Sequence, residues 1–136
     1  MKIKYYDVVR KPLSKEAEIE AEFFSNMDDM LAISDCVVVA TPAFPGGKKL
    51  INKSRLDKLK WGSRFINIAR GTLVDEVAVA DAVDEGRLIG VGLDVHEFEP
   101  RVNERLKRMR AVTLTSHNAG GTLDTYECIS YLSFAT

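Results

Sequence analysis

Arg70, Glu99 and His117 are the residues of this 136-residue chain whose types and settings could do chemistry. Arg70 ends an apolar run, Phe65-Ile66-Asn67-Ile68-Ala69, and precedes Gly71. Glu99 lies beyond Gly92-Leu93-Asp94-Val95 and precedes Pro100. His117 follows Val112-Thr113-Leu114-Thr115 and precedes Asn118-Ala119-Gly120-Gly121. Each sits just past the C-terminal end of an expected buried strand, the edge of an open α/β sheet where ligands bind. A carboxylate beside an imidazole stabilises the protonated ring, so the pair can deliver a proton near neutral pH and take it back. A guanidinium grips a carboxylate through a two-pronged fork. Together the groups suit a 2-oxo acid. Arg70 would hold its carboxylate and polarise its carbonyl, and His117 would protonate the oxygen as a hydride reaches carbon. Taken singly, each has a plainer reading: a surface ion pair, a loop glutamate, a structural histidine. Placement of all three at strand ends adds weight to the chemical one, though composition alone does not decide for it.

These residues need a scaffold of alternating strands and helices. Ile3 to Asp7 reads as a short strand, Arg10 to Leu13 as a turn, and Ser14 as the cap of a short helix with Glu16 and Glu18 in its first turn. Glu22 to Ser25 is a weak strand. Asn26 caps a helix with Met27, Met30, Leu31 and Ile33 at helical spacing. Cys36 to Ala40 is continuously apolar, the pattern of a parallel strand covered on both faces. A loop from Thr41 to Gly47 follows, and Ser54 opens a helix to about Leu59. Arg64 to Ala69 is the next strand. Asp75 to Glu85 is a helix with Val77, Val79, Ala80 and Val83 on its apolar side and Gly86 at its end. Leu88 to Val95 is a strand thinned by Gly90 and Gly92. Asn103 to Arg110 reads as helix, Ala111 to Thr115 as the last strand, and Asp124 onward as helix. Such alternation argues for a parallel sheet with right-handed crossovers.

Composition excludes several classes. Apolar residues make up 46% of the chain and charged residues 29%, ordinary for one globular domain. A net charge of −1 offers no bulk attraction for nucleic acid or an anionic membrane. No apolar run approaches the ~18 residues needed to cross a bilayer, and the polar N-terminus is no signal peptide. Cys36 and Cys128 lack the spacing of a metal site, so no metal is expected. Cys36 reads as a small core residue in a reducing, cytoplasmic setting.

The stretches Phe65 to Gly71, Gly92 to Val95 through Glu99-Pro100, and Thr115 to Thr122 together resemble the nucleotide-binding domain of the D-isomer-specific 2-hydroxyacid dehydrogenases. The interval between Arg70 and Glu99 matches that family as well. Ser116 departs from it, since proline is usual there. The resemblance implies an α/β fold, a partial doubly wound, Rossmann-like parallel sheet. It implies that Arg70 binds the substrate carboxylate, that His117 is the acid/base, and that Glu99 tunes and orients His117. Asp94 would contact the nicotinamide carboxamide. Thr41, Pro42 and Ala69 would line the nicotinamide ribose side, with Ala119 and Gly120 also at the cofactor. Asp7 would hold the adenosine ribose hydroxyls of NAD. Arg10 and Lys11 stand close enough in sequence to accept a 2′-phosphate, so NADP stays open.

No G-x-G-x-x-G occurs anywhere in the chain. In the family that loop, with the first strand, precedes the strand ending at Asp7. Residues 1–136 are therefore expected to be part of a dinucleotide-binding domain, with the substrate domain elsewhere. A gap is expected where strand 1 of the 3-2-1-4-5-6 order would lie. Either the segment before about residue 35 repacks into it, or a second copy covers the open edge, which makes a homo-oligomer the expected assembly. Two functional readings follow. One is a dehydrogenase acting on a small 2-oxo or 2-hydroxy acid, with this chain supplying the trio but negligible turnover alone. The other is a non-catalytic module that folds and oligomerises without binding dinucleotide.

Overall fold

Four parallel strands, β3 (Cys36–Val39), β4 (Ser63–Asn67), β5 (Leu88–Leu93) and β6 (Val112–Leu114), lie side by side in chain order in the computed structural model. It describes residues 1–43, 46 and 48–121. Consecutive parallel neighbours need crossovers, and short helices supply some of them: α3 (Lys53–Leu56) and α4 (Glu76–Asp84). Asp75 caps α4 by accepting from the Ala78 amide at 3.1 Å, and Gly86 ends the segment at φ +79°.

Register sets which residues face inward. Val37, Phe65, Val91 and Val112 form one row across the sheet, and Val39, Asn67, Leu93 and Leu114 the next on the same face. That face and α4 make the core, where Phe65, Val79 and Leu106 are fully buried. The alternate row, Val38, Ile66, Gly92 and Thr113, has no such cover, and Val38 is 52% exposed. The expectation that Cys36 to Ala40 is covered on both faces is thus overturned. Burial alternates along β3, and Cys36 is an exposed thiol instead of a core residue. An apolar run records the potential for burial, but whether both faces are covered depends on other elements.

The N-terminal segment carries a second, two-stranded sheet, while Met27 and Leu31 beyond it join the main core. Strand β1 (Ile3–Tyr5) pairs in parallel with β2 (Ala21–Phe23) through α1 (Leu13–Glu18), and α2 (Met27–Ile33) leads on to β3. Neither β1 nor β2 hydrogen-bonds to β3, so this segment has not repacked into the four-stranded sheet.

Local details also shift. Pro12, not Ser14, stands at the N-terminus of α1, without a side-chain cap bond; a proline's fixed φ suits a helix start. Asn52, not Ser54, caps α3 by accepting from the Arg55 amide. Asn26 caps α2 as expected. The predicted helix over Asn103 to Arg110 shrinks to a 3₁₀ turn, Leu106–Arg108, with Leu106 driven into the core. Val77 is 55% exposed, off the apolar side of α4. The predicted helix from Asp124, Cys128, and Thr122 of the third motif lie outside the described residues. Among the described residues, no helix is long and apolar enough to cross a membrane.

Candidate active site

Asn67, Leu93 and Leu114 are register partners at the C-terminal ends of β4, β5 and β6. The loops that follow them carry Arg70, Glu99 and His117, so one edge of the sheet gathers all three. Asn67 shapes the first loop from below. Its buried side-chain amide accepts from the Ala69 N–H and donates to the Arg70 carbonyl, both at 3.1 Å. Arg70 itself is exposed, with one guanidinium nitrogen on the Ala69 carbonyl at 2.6 Å and no ion pair among the described residues. An exposed guanidinium without a carboxylate partner is available to an anion.

The expected carboxylate–imidazole pair is formed. His117 Nδ1 lies 3.1 and 3.0 Å from the two Glu99 oxygens. A carboxylate only accepts, so Nδ1 carries the proton and Nε2 is left for a reacting oxygen. The hydrogen bond from His117, and next the one from the His96 backbone N–H at 2.9 Å, hold the Glu99 carboxyl below its ordinary value. His117 has φ +56°, a left-handed conformation that a side chain adopts only when its surroundings impose it. Asp94 imposes it. One of its oxygens accepts from the Thr115 hydroxyl at 2.6 Å and the Asn118 amide at 3.1 Å, and the other from the Ala119 amide at 3.1 Å. The Thr115 bond foremost, with the Ala119 and Asn118 amides, keeps the Asp94 carboxyl ionised below the usual range. The second oxygen still has an acceptor position, so Asp94 can brace the histidine loop and receive a carboxamide N–H as well.

Sequence reading missed the layer beneath. Glu76, in the first turn of α4, and Glu97 accept from each other's backbone N–H at 3.0 and 3.2 Å, and Lys49 pairs with Glu97 at 2.7 Å. This clamps the Glu99 loop to the start of α4. Gly71 closes on the same loop: a Cβ there would stand 1.9 Å from the His96 carbonyl oxygen, so only glycine fits. His96 is buried, with Nε2 3.0 Å from the Thr115 carbonyl. A histidine two positions beyond Asp94, directly after the last apolar residue of that stretch, Val95, was the available signal for it.

The other expected cofactor residues follow strand ends too. Asp7 lies just beyond β1; its carboxylate accepts from the Val8 amide at 2.7 Å and pairs with Lys11 at 2.8 Å. Lys11 first, then the Val8 amide, hold that carboxyl below its ordinary value. Its remaining acceptor sites fit a ribose diol, and this, with the spare oxygen of Asp94, is the structural fit to NAD. Thr41 and Pro42 follow β3, Ala69 is buried beside Asn67, and Ala119 and Gly120 lie exposed beyond His117. A cleft of about 560 Å³ opens at Glu99 and His117, lined also by Pro100, Val102 and Ser116; Arg70 lies outside its lining.

The family model for the D-isomer specific 2-hydroxyacid dehydrogenase NAD binding domain matches residues 1–119. A glyoxylate reductase of Thermococcus kodakarensis is 41% identical over 132 residues, 97% of this chain and 39% of that protein. The holo crystal structure of Rhodotorula graminis D-mandelate dehydrogenase superposes with a TM-score of 0.92 at 36% identity, covering 99% of this chain and 39% of that one. A Xanthobacter autotrophicus family member solved with NADPH superposes at 0.75 and 34% identity, over 85% of this chain and 36% of its own. The chain thus spans about two fifths of the length of such relatives. The strand-end trio, the braced histidine loop and these matches converge: the chain belongs to the D-isomer specific 2-hydroxyacid dehydrogenase family and corresponds to its NAD binding domain.

Proposed function

We propose that this chain supplies the carboxylate anchor and the acid/base pair of an NAD-dependent oxidoreductase acting on small 2-oxo and 2-hydroxy acids. The observation that carries the reading is the His117–Glu99 pair at 3.0 Å, on the same sheet edge as the exposed Arg70. NADH, when bound, supplies the hydride. Arg70 binds the 2-oxo acid through its carboxylate and draws density from the carbonyl. His117 gives the Nε2 proton to the carbonyl oxygen as the C–H bond forms, leaving a 2-hydroxy acid. Glu99 holds the ring by Nδ1 and stabilises its charged form before transfer; in the reverse direction His117 takes the hydroxyl proton. The relatives named glyoxylate reductase make glyoxylate the first substrate to try.

Asp7 and its neighbours support NAD over NADP. Its carboxylate repels a 2′-phosphate, while Arg10 is held by Glu16 at 2.8 Å through two nitrogens and Lys11 by Asp7. The test uses a full-length parent containing this chain. His117→Ala should lower turnover about 10²–10⁴-fold with NADH affinity little changed. Unchanged turnover would remove His117 from the mechanism.

A further inference from the structure

His96 is a buried titratable group with no part in the chemistry above. Its ring is 5% exposed and spans two elements that move together only if something joins them. On one side Nε2 meets the Thr115 carbonyl at 3.0 Å, just past β6 and two residues before His117. A carbonyl only accepts, so Nε2 carries a proton. On the other side Nδ1 lies 3.5 Å from a Glu76 oxygen on α4 and has no hydrogen-bond partner among the described residues. A lone pair at Nδ1 would face a carboxylate, whereas a proton there would point at it. The backbone N–H of the same residue donates to Glu99 at 2.9 Å. One residue therefore touches both the glutamate of the pair and the strand end that delivers its histidine.

Ser116 explains why such a tie is needed. Its amide makes no hydrogen bond among the described residues, and unlike proline it has no ring to fix φ. A proline at this position would lock φ near −65° and confine Thr115 to extended conformations. We propose that His96 is a positioning residue for His117, fixing the end of β6 through the Thr115 carbonyl and replacing by a hydrogen bond the restriction that a proline at 116 would impose. The inference rests on the reading of His117 and Glu99 as the working pair.

The test reads geometry, not turnover. ¹⁵N-edited NMR of the imidazoles in the full chain reports which His117 nitrogen bears the proton. In the native chain neutral His117 should be the Nδ1–H tautomer, set by Glu99. His96→Phe keeps the ring volume and removes both nitrogens; it should lose the Nδ1–H form as the dominant species. Adding Ser116→Pro should restore it, and His96→Gln, which keeps a buried donor, should retain it. An unchanged His117 tautomer in a folded His96→Phe chain, or no recovery on adding Ser116→Pro, would overturn the proposal. Should His96→Phe alone not fold, the double variant decides: a folded chain with the Nδ1–H form supports the tie, and one without it refutes the compensation. Failure of the dehydrogenase reading would show separately, as a native tautomer in a parent whose turnover survives His117→Ala.

Discussion

The four-stranded sheet and the two-stranded N-terminal unit obey the same parallel βαβ logic but are held by different forces. In the larger sheet, rows of buried apolar side chains centre on the fully buried Phe65, and α4 closes over them. In the smaller, no residue of β1 or β2 is buried. What holds it is polar. Glu16, the buried carboxylate of α1, accepts from the Tyr5 hydroxyl at 2.6 Å and from Arg10 through two nitrogens, and Lys4 pairs with Glu22 across the strands. Tyr5 and Phe23 add an aromatic contact with centroids 5.3 Å apart. A two-stranded sheet is marginal by itself. The contrast shows how stability is divided: the part that positions proton transfer stands on hydrophobic burial, while the part that carries Asp7 stands on charge.

That contrast can be broken or sharpened by substitution. The largest effect should come from Phe65→Ala, since its side chain is wholly buried between the sheet and α4. Loss of about 3–5 kcal/mol is expected in denaturant unfolding, and a change under ~1 kcal/mol would mean that the large sheet is not held by its core. Gly71→Ala comes next, because the added methyl meets the His96 carbonyl at 1.9 Å and the loop must shift. A loss of about 1–3 kcal/mol is expected, with His117 signals displaced by NMR; native signals would mean that the loops are not interlocked.

Acid should separate the two regions. Hydrogen bonds from Arg10 and Tyr5 lower the Glu16 carboxyl to about 2, below its unfolded value. A depressed carboxyl stabilises the fold above the unfolded value, and that contribution fades as pH falls toward the folded one. Protection of β1 and β2 amides against hydrogen exchange, relative to the intrinsic rate at each pH, should therefore fall between about pH 4 and 2, before that of β4 and β5. Simultaneous loss in both regions would erase the distinction. Glu16→Gln should remove this acid sensitivity and free Arg10, raising binding of adenosine 2′-phosphate relative to adenosine. The smallest effect belongs to Cys36→Ser on the uncovered face of β3, within about 0.5 kcal/mol; a larger loss in thermal unfolding would show that this face is covered in solution.

Sequence alone carried the parallel α/β fold and the placement of the polar groups at strand ends, but not the contacts between them. Arg70, Glu99 and His117 were legible because strand ends and glycine-rich turns are local signals, and a parallel sheet aligns its C-terminal ends wherever those strands pair. Cys36 was misread because hydrophobicity along β3 does not reveal that its second face lacks a cover. The helix expected at Asn103 to Arg110 gave way because burying Leu106 outweighs local propensity. Glu76, Glu97 and His96 could not be tied to the site in advance. Their roles arise from contacts between residues 19 to 21 positions apart, which exist only once α4, the Glu99 loop and β6 meet. The residue types present were decided by sequence; the pairing of His117 with Glu99, its left-handed backbone and the buried clamp beneath were decided by tertiary structure, because hydrogen bonds between distant segments form only after packing brings their atoms within about 3 Å.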